Sequence, residues 1–389
     1  MLQSLQEARR LAVKQYQTGR SVASICATFN RTKQWLYKWA NRFDVADPNW
    51  SNDTSRKPHV NPNKSSTETE SAVRLVRLDL YNKDVFCGSQ AIRGEMEDMG
   101  VSPLPSLRTI DRIICRLDLT NKKAGRYTPK GTLYPSLPKE FANQVHQADF
   151  VGPLHLKGPL RFYGLNVVDL ASRRCATQPV TSRSGQNVID SFLAIWSRMG
   201  IPQNVQIDNE MAFYGSPQYP RGMGALIRLC LNNNVELWFI PPSEPWRNGI
   251  VEKFNDHYQQ KFIHKITMHT MKELEKESLR FENKHNDAYR YSALKGSTPT
   301  KTFAGMKCSL RLPKQEKQQQ HPLKKPTKGK YHLVRLIRSD RRLDVFGEKF
   351  PMHQDLEYEY VVATVNVKEQ QLEIYHDNKL IDGFEYKLR

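Results

Sequence analysis

The chain has 389 residues, and its 59 Lys and Arg against 40 Asp and Glu give a formal net charge of +19. A surplus of this size indicates a polyanionic partner, most commonly DNA or RNA, with an ordinary basic protein as the alternative. No apolar stretch approaches the roughly 20 residues of a membrane span, the N-terminus lacks a signal-peptide core, and the six cysteines form no Cys-x-x-Cys pair, so we expect no membrane partner, a reducing compartment and no zinc knuckle.

Residues 1–45 have the apolar spacing of three short helices, with a turn predicted at Asn30. This arrangement is typical of a helix-turn-helix DNA-binding domain, and a three-helix bundle without a ligand is the alternative. Four polar residues face away from the apolar side of the third helix and are predicted to contact DNA, namely Arg31, Lys33, Gln34 and Lys38.

A segment rich in Ser, Thr, Asn and Pro, residues 46–69, is predicted to be a linker. Residues 70–120 are again helical in spacing and are predicted to form a second helix-turn-helix domain, followed by a basic linker over 121–142. The last helix of this domain carries basic residues at four-residue steps, which suit a row of DNA phosphates or a solvated surface equally well. These residues are Arg108, Arg112 and Arg116.

From residue 143 the spacing changes to three strands, then a helix, strand, helix, strand and helix. Over residues 143–306 this order predicts a mixed sheet of five strands covered by helices, an α/β architecture. A Gln- and Lys-rich linker follows over 307–328. The alternating pattern of residues 329–389 predicts a small β-barrel, which contacts nucleic acid or protein, or only caps the core.

Three acidic residues have contexts that suit an open sheet edge. Asp149 ends the apolar run VHQAD, Asp208 ends NVQID, and Glu252 opens a helix after the loop PPSEPWRNG. Two strand-end carboxylates and one on a nearby helix can hold two divalent cations about 3.5–4 Å apart, the geometry that serves phosphodiester chemistry. Mg²⁺ prefers such oxygen ligands, so the sequence predicts a site for two Mg²⁺ (or Mn²⁺) ions.

Three other acids compete for this role. Asp169 sits at a strand end and could simply cap a turn or pair with Arg173. Asp190 is predicted on a helix surface, and Glu210 is predicted to turn away from its neighbour Asp208. Acids at strand ends are common, so spacing alone does not decide between these sets.

Residues 144–305 resemble the integrase core shared by retroviral integrases and many bacterial insertion-sequence transposases. The resemblance rests on HQADF, NVVDLASRR, QIDNE, PPSEPWRNGIVEKFN and HNDAYRYSALKGSTPTKTF, which occur in the family's order. It implies an RNase H-like core and places Asp149, Asp208 and Glu252 at the catalytic, metal-binding positions. Asn248 then lies in the active-site loop and Lys253 near a DNA phosphate, so the resemblance implies that both contact DNA.

The resemblance has three departures. The spacing between Asp208 and Glu252 is longer than usual in the family because of an inserted SPQYPRGMG, Arg290 is followed by Tyr291 instead of Pro, and the zinc-binding head of retroviral integrases is missing. Two helix-turn-helix domains and a C-terminal SH3-like β-barrel instead resemble bacterial transposases, which implies a place at the bacterial nucleoid in the cytoplasm.

The resemblance implies a DDE-type DNA transposase that binds the terminal repeats of an element, cleaves its 3′ ends and joins them to target DNA by two-metal phosphoryl transfer. It also implies a homo-oligomer on DNA, a dimer or larger. Two alternatives stay open from the sequence: a catalytically inactive DNA-binding regulator, and an RNase H-like nuclease that cuts without joining.

Overall fold

The computed structural model describes residues 5–54, 65–119, 134–216, 218–219, 221–308, 310–314 and 322–389. Contacts divide the chain into two compact units, Met1–Lys64 and Ser65–Arg389. Most of the second linker and the middle of the third, as predicted from the sequence, lie outside the described residues.

The first unit contains the three helices predicted for it, α1 (Leu5–Gln17), α2 (Val22–Phe29) and α3 (Lys33–Arg42). Ser21 and Thr32 cap α2 and α3 through side-chain oxygens that accept backbone N–H bonds. Asn30 ends α2 in a left-handed conformation, φ 49°, which confirms the predicted turn. Ala12, Ile25 and Leu36, one from each helix, form the buried core of this unit.

The second unit begins with three more helices, α4 (Thr67–Asn82), α5 (Ser89–Asp98) and α6 (Leu107–Arg116). Their shared apolar core also contains Tyr289, which belongs to the α/β part of the chain. The buried Arg290 adds ion pairs to Glu95 and Asp98 on α5. The block of α4, α5 and α6 therefore packs directly against the α/β core.

A nine-stranded mixed sheet forms the centre of the second unit, with the order β11-β10-β9-β6-β5-β4-β1-β2-β3. Its strands are β1 (Val145–His155), β2 (Arg161–Asp169), β3 (Cys175–Val180), β4 (Asn204–Ile207), β5 (Glu236–Phe239), β6 (Lys330–Leu336), β9 (Tyr360–Asn366), β10 (Gln371–His376) and β11 (Lys379–Glu385). β1 pairs with β2 antiparallel and with β4 parallel, so the five-stranded mixed sheet predicted from the sequence is present.

Helices cover both faces of the first five strands. One apolar cluster combines Ala148 and Val167 of the sheet with α7 and α9, and another combines Val151 and Val168 with α10 and α11. Consecutive strand residues point to opposite faces, which separates these two sets. The helices of this part are α7 (Gly185–Met199), α8 (Met211–Tyr214), α9 (Ala225–Asn232), α10 (Gly249–Tyr258), α11 (Met271–Ala288) and α12 (Pro299–Gly305).

The C-terminal strands differ from the prediction of a separate SH3-like barrel, which is not confirmed. β6 pairs parallel with β5 through Leu237–Tyr331 and Phe239–Leu333, so β6, β9, β10 and β11 continue the core sheet. Only β7 (Arg342–Val345) and β8 (Glu348–Pro351) form a hairpin of their own among the described strands. Periodicity could not reveal this pairing, because it joins strands about 90 residues apart.

None of the described helices is long and apolar enough to cross a membrane.

The continuous sheet predicts one unfolding transition for the α/β core and the C-terminal strands. Leu333 is fully buried in the shared apolar core, so Leu333→Ala is expected to lower the free energy of unfolding by about 2–5 kcal/mol. Leu380→Ala on the exposed edge of β11 is the matched control and should change it by less than about 0.5 kcal/mol. Denaturant titration followed by fluorescence measures both. A separate early transition in Leu333→Ala would contradict a shared core.

Candidate active site

The three predicted acids belong to β1, to the end of β4 and to α10, in the interior of the core sheet. Asp149 lies inside β1 and not at its end, because β1 continues to His155 in its pairing with β2, so the predicted strand-end position is wrong for this acid. Asp149 is in β1 opposite Asn166 of β2, and Asp208 directly follows β4, the parallel neighbour of β1. Glu252 is in the first turn of α10, a helix that contacts both β1 and β2. All three side chains are half-buried.

The pKa values of the three carboxyl groups show that they share one electrostatic environment. Burial, together with the negative charges of Asp208 and Glu252, raises the pKa of Asp149 to about 7. Burial also raises the pKa of Glu252, with contributions from Asp256 and Asp208. Burial raises the pKa of Asp208, while the charge of Arg183 opposes the shift. The fold thus concentrates negative charge where ionisation is costly.

Two asparagines hold the carboxylate of Asp149. Asn255 donates from Nδ2 to Asp149 Oδ2 at 2.8 Å and accepts a 2.7 Å bond from Asn166 Nδ2. Asn255 lies three residues after Glu252 on α10, so one helix presents both side chains toward the same region. This relay fixes Oδ2 of Asp149, and a backbone hydrogen bond from Phe150 also reaches the carboxylate.

Two glutamines connect the strands to the loop before α10. Gln147 and Gln206 each donate from Nε2 to the backbone carbonyl of Arg247, at 3.2 and 2.9 Å. Gln147 also accepts a bond from the backbone N–H of Val251 at 3.2 Å. Each glutamine precedes an acid by two residues and therefore shares its face of the sheet. The repeated Gln-x-Asp of β1 and β4 is a signal that our sequence reading missed.

Asn248 is placed differently from its predicted role as a DNA contact. Its side chain is 2% exposed, donates to the carbonyl of Ala148 at 3.3 Å and accepts from Gln206 at 3.4 Å. A buried amide must satisfy its own hydrogen bonds, and here it does so by holding the loop against β1 and β4. In this conformation Asn248 supports the loop, and its contact with DNA stays a prediction.

The competing acids have other partners. Asp169 is fully buried and caps a turn by accepting bonds from the backbone N–H groups of Asn143 and Ser172 at 3.0 and 2.8 Å. Asp190 is exposed on α7. Glu210 forms an ion pair with Arg183. Asp169 thus caps a turn and Asp190 lies on a helix surface, as predicted, whereas Glu210 stays close to Asp208 through its backbone N–H, which bonds to Asp208 Oδ1 at 3.0 Å.

The predicted DNA contacts of the helical blocks are exposed. Arg31, Lys33, Gln34 and Lys38 lie on the outside of the first unit. On α6 the three arginines at four-residue steps are also exposed, and one of them, Arg116, pairs with Glu70 at 2.6 Å. These positions are compatible with DNA contact, which stays a prediction.

Lys253, on α10, is also exposed and pairs with Asp256 at 3.0 Å.

The donor set fits a hard divalent cation. Carboxylate oxygens are the ligands that Mg²⁺ prefers, and the mutual repulsion of three half-buried acids is relieved by a cation between them. In the described part of the chain, no three His, Cys, Asp or Glu side chains already form a compact metal-binding group. Asp149, Asp208 and Glu252 are therefore electrostatically coupled, but in this conformation they are not close enough together to coordinate one ion.

A family comparison bears on the segment around Glu252. Residues 233–299 match the family model of the integrase core domain. The match spans β5, the loop before α10, α10 itself and α11, and it includes Glu252. Asp149 and Asp208 lie outside the matched residues, so their assignment depends on the geometry above.

Comparison with solved structures finds similarities to viral integrases at low scores. The HTLV-2 integrase catalytic core domain in complex with magnesium is 15% identical in a trimeric form (TM-score 0.33, 42% of this chain, 97% of that one) and 16% identical in a dimeric form (0.33, 43% and 99%). A simian T-cell lymphotropic virus intasome in complex with PP2A regulatory subunit B56 gamma is 14% identical (0.38, 75% and 88%). Scores at this level do not establish a shared fold.

Because the pKa of Asp149 is raised, we expect its ionised form to lower the free energy of unfolding of the metal-free protein. The unfolded side chain ionises near pH 4, whereas the folded one keeps its proton up to about pH 7, so stability falls as pH rises between these values. Asp149→Asn removes this loss. We expect it to raise the free energy of unfolding by roughly 1–3 kcal/mol at pH 8 and to change it little at pH 4.

Chemical unfolding in chelator at both pH values measures this difference, with Asp190→Asn as an exposed control. Adding Mg²⁺ at pH 8 should stabilise the wild type more than Asp149→Asn, because an ion that binds only the folded state stabilises it. An Asp149→Asn protein that is less stable than wild type in chelator at pH 8 would contradict the assignment.

Proposed function

We propose that this protein is a DDE-type DNA transposase with an RNase H-like core, in which Asp149, Asp208 and Glu252 hold Mg²⁺ or Mn²⁺, two ions per site. The observation that carries this proposal is the electrostatic coupling of the three acids beside the paired strands β1 and β4, which contributes to the raised pKa of Asp149, about 7. The integrase core match over the segment that contains Glu252 supports the same chemistry.

The reaction has two phosphoryl transfers. In the first, water attacks a phosphodiester at each 3′ end of the element, a P–O bond forms and another breaks, and a free 3′-hydroxyl results. In the second, that 3′ oxygen attacks a phosphodiester of the target and displaces a 3′ oxygen of the target strand. The bound ions, when present, stabilise the attacking and leaving oxygens.

The side chains of the protein supply position and charge for these steps. Asn255 and Asn166 orient Asp149, and the two glutamines hold the loop so that α10 presents Glu252 beside the strand ends. Preorganised groups of this kind lower the barrier because they need not reorganise during the reaction. Protonation of Asp149 below pH 7 opposes cation binding, so activity should rise through this pH range.

The two helical blocks are proposed to bind the terminal repeats. The net charge of +19 and the exposed basic residues on α3 and α6 support DNA as the partner. Joining two element ends to one target requires two active sites, so we propose that the protein acts as a homo-oligomer on DNA.

Substitution of the triad tests the catalytic assignment. Asp149→Asn, Asp208→Asn and Glu252→Gln are each expected to lower the rates of both cleavage and joining by at least about 10³-fold, because charge stabilisation in the transition state is lost. Binding of end DNA should stay within about threefold of wild type. Labelled duplexes taken from DNA flanking the gene, with Mg²⁺, report cleavage, and pre-cut duplexes report joining alone.

Asp190→Asn is the matched control and should be as active as wild type. Joining of pre-cut ends distinguishes the transposase from the nuclease that only cuts, and cleavage distinguishes both from an inactive regulator. If Asp208→Asn joins ends at the wild-type rate, Asp208 is not part of the site.

The exposed arginines of α6 predict a measurable salt dependence. Replacing Arg108 and Arg112 with Gln removes two phosphate contacts, so the slope of log affinity against log salt should become shallower by about 1.8. Arg280→Gln, on the exposed side of α11 and paired with Glu277, is the control. Fluorescence anisotropy with end DNA over a salt series measures the slopes, and equal slopes would place α6 away from the DNA.

A further inference from the structure

The C-terminal strands contact two segments next to the acids: the residue after Asp208 and the loop before α10, the helix that carries Glu252. Arg335 of β6 is 4% exposed, and its NH2 donates to Asn209 Oδ1 at 2.8 Å. Asn209 directly follows Asp208 and donates in turn to the carbonyl of Ile240 at 2.6 Å. Arg335 NH1 also donates to Ile240 at 3.2 Å. One side chain of β6 therefore ties the end of β4 to the end of β5.

The environment of Arg335 gives it little freedom to move. Its Nε donates to the carbonyl of Asp344 at 2.9 Å, and its NH1 donates to that of Val334, also at 2.9 Å. A buried guanidinium is tolerated only when its donors are satisfied, and its planar shape fixes the directions of those donors. The position of Asn209 is consequently set by the C-terminal strands.

A second contact reaches the loop before α10. Tyr360 of β9 donates its hydroxyl hydrogen to the carboxylate of Glu244, at 2.8 and 2.9 Å from the two oxygens, and accepts a 3.0 Å bond from Arg247 NH2. Arg247 also donates from Nε to Glu244 at 2.9 Å. Its guanidinium lies over the ring of Tyr134, 3.8 Å from the centroid. These groups lock Arg247 in one place.

The fixed Arg247 connects Tyr360 to Glu252. The carbonyl of Arg247 accepts the bonds from Gln147 and Gln206, and Gln147 accepts the N–H of Val251, the residue before Glu252. The path from β9 to the first turn of α10 is therefore a continuous series of hydrogen bonds. Such supporting contacts decide how precisely a first set of ligands is held.

We propose that the C-terminal strands brace the active site, with Arg335 as the positioning residue for Asp208 and Tyr360 as the positioning residue for Glu252. This inference rests on the proposed function, because it takes both acids as cation ligands. Neither positioning residue touches the reacting atoms. Each acts through a neighbour of the acid, Asn209 in one case and Arg247 in the other.

Tyr360→Phe in the full-length protein tests this proposal, because it removes one hydroxyl group and keeps the ring. Mn²⁺ binding, followed by the electron paramagnetic resonance signal of free Mn²⁺, should weaken about three- to tenfold, and the Mg²⁺ concentration for half-maximal joining should rise by a similar factor. Tyr375→Phe is the matched control, since its hydroxyl bonds to Glu373 of the same strand and, among the described residues, to no side chain next to the three acids. It should bind Mn²⁺ as the wild type does.

Arg335→Lys is the second variant, which keeps the charge and loses the fork of donors. It should also weaken Mn²⁺ binding while end-DNA affinity stays unchanged. If both Tyr360→Phe and Arg335→Lys bind Mn²⁺ with the affinity of the wild type, the proposal that the C-terminal strands position the acids is wrong, whatever the melting temperatures of the variants. Asp149→Asn separates the two hypotheses: if it too binds Mn²⁺ as wild type does, the proposed metal site itself fails.

Discussion

The parallel pairing of β5 with β6 is the constraint on which the rest of the structure depends. It converts five core strands into a nine-stranded sheet and merges two sets of apolar side chains into one buried cluster. It also brings Arg335 and Tyr360 within reach of the segments that follow β4 and β5. Without this pairing, β5 would be an exposed edge and the loop before α10 would lose its support on one side.

In the candidate site, acids that repel one another lie in the same region, and hydrogen bonds from neighbouring Asn and Gln side chains hold that region in place. Burial raises the pKa of all three acids, the charges of Asp208 and Glu252 add to the shift at Asp149, and the charge of Asp208 adds to that at Glu252, so ionisation of the site opposes the stability of the fold. The asparagine relay and the two glutamines hold the groups in place despite this repulsion. A site of this kind favours cation binding, because a bound cation removes the repulsion between the carboxylates.

Much of the core followed from the sequence. Each predicted strand and helix over residues 143–306 has a counterpart in the structure, because burial on one or both faces imposes a local period that the residues record. Spacing alone did not separate Asp149, Asp208 and Glu252 from the competing acids, and these three were selected by the resemblance of HQADF, QIDNE and PPSEPWRNGIVEKFN to the integrase core.

What the sequence could not give are contacts between distant strands. Neither Arg335 nor Tyr360 has a local pattern that sets it apart from other residues of an alternating strand. The burial of Asn248 depends on its bond to Ala148, a hundred residues earlier in the chain, so it could not be predicted from the local sequence either. The predicted barrel was inferred from strand spacing, which carries no information about partners.

The late position of β6 in the chain has a consequence for synthesis. The helical blocks and all three acids precede Lys330, so they emerge from the ribosome before the strand that completes the sheet. A chain interrupted in this interval has its helical blocks, but β5 is an open edge and the loop before α10 lacks its contact with Tyr360. The residue after Asp208 and the loop before α10 are therefore held in their final positions only once β6 and β9 have been made.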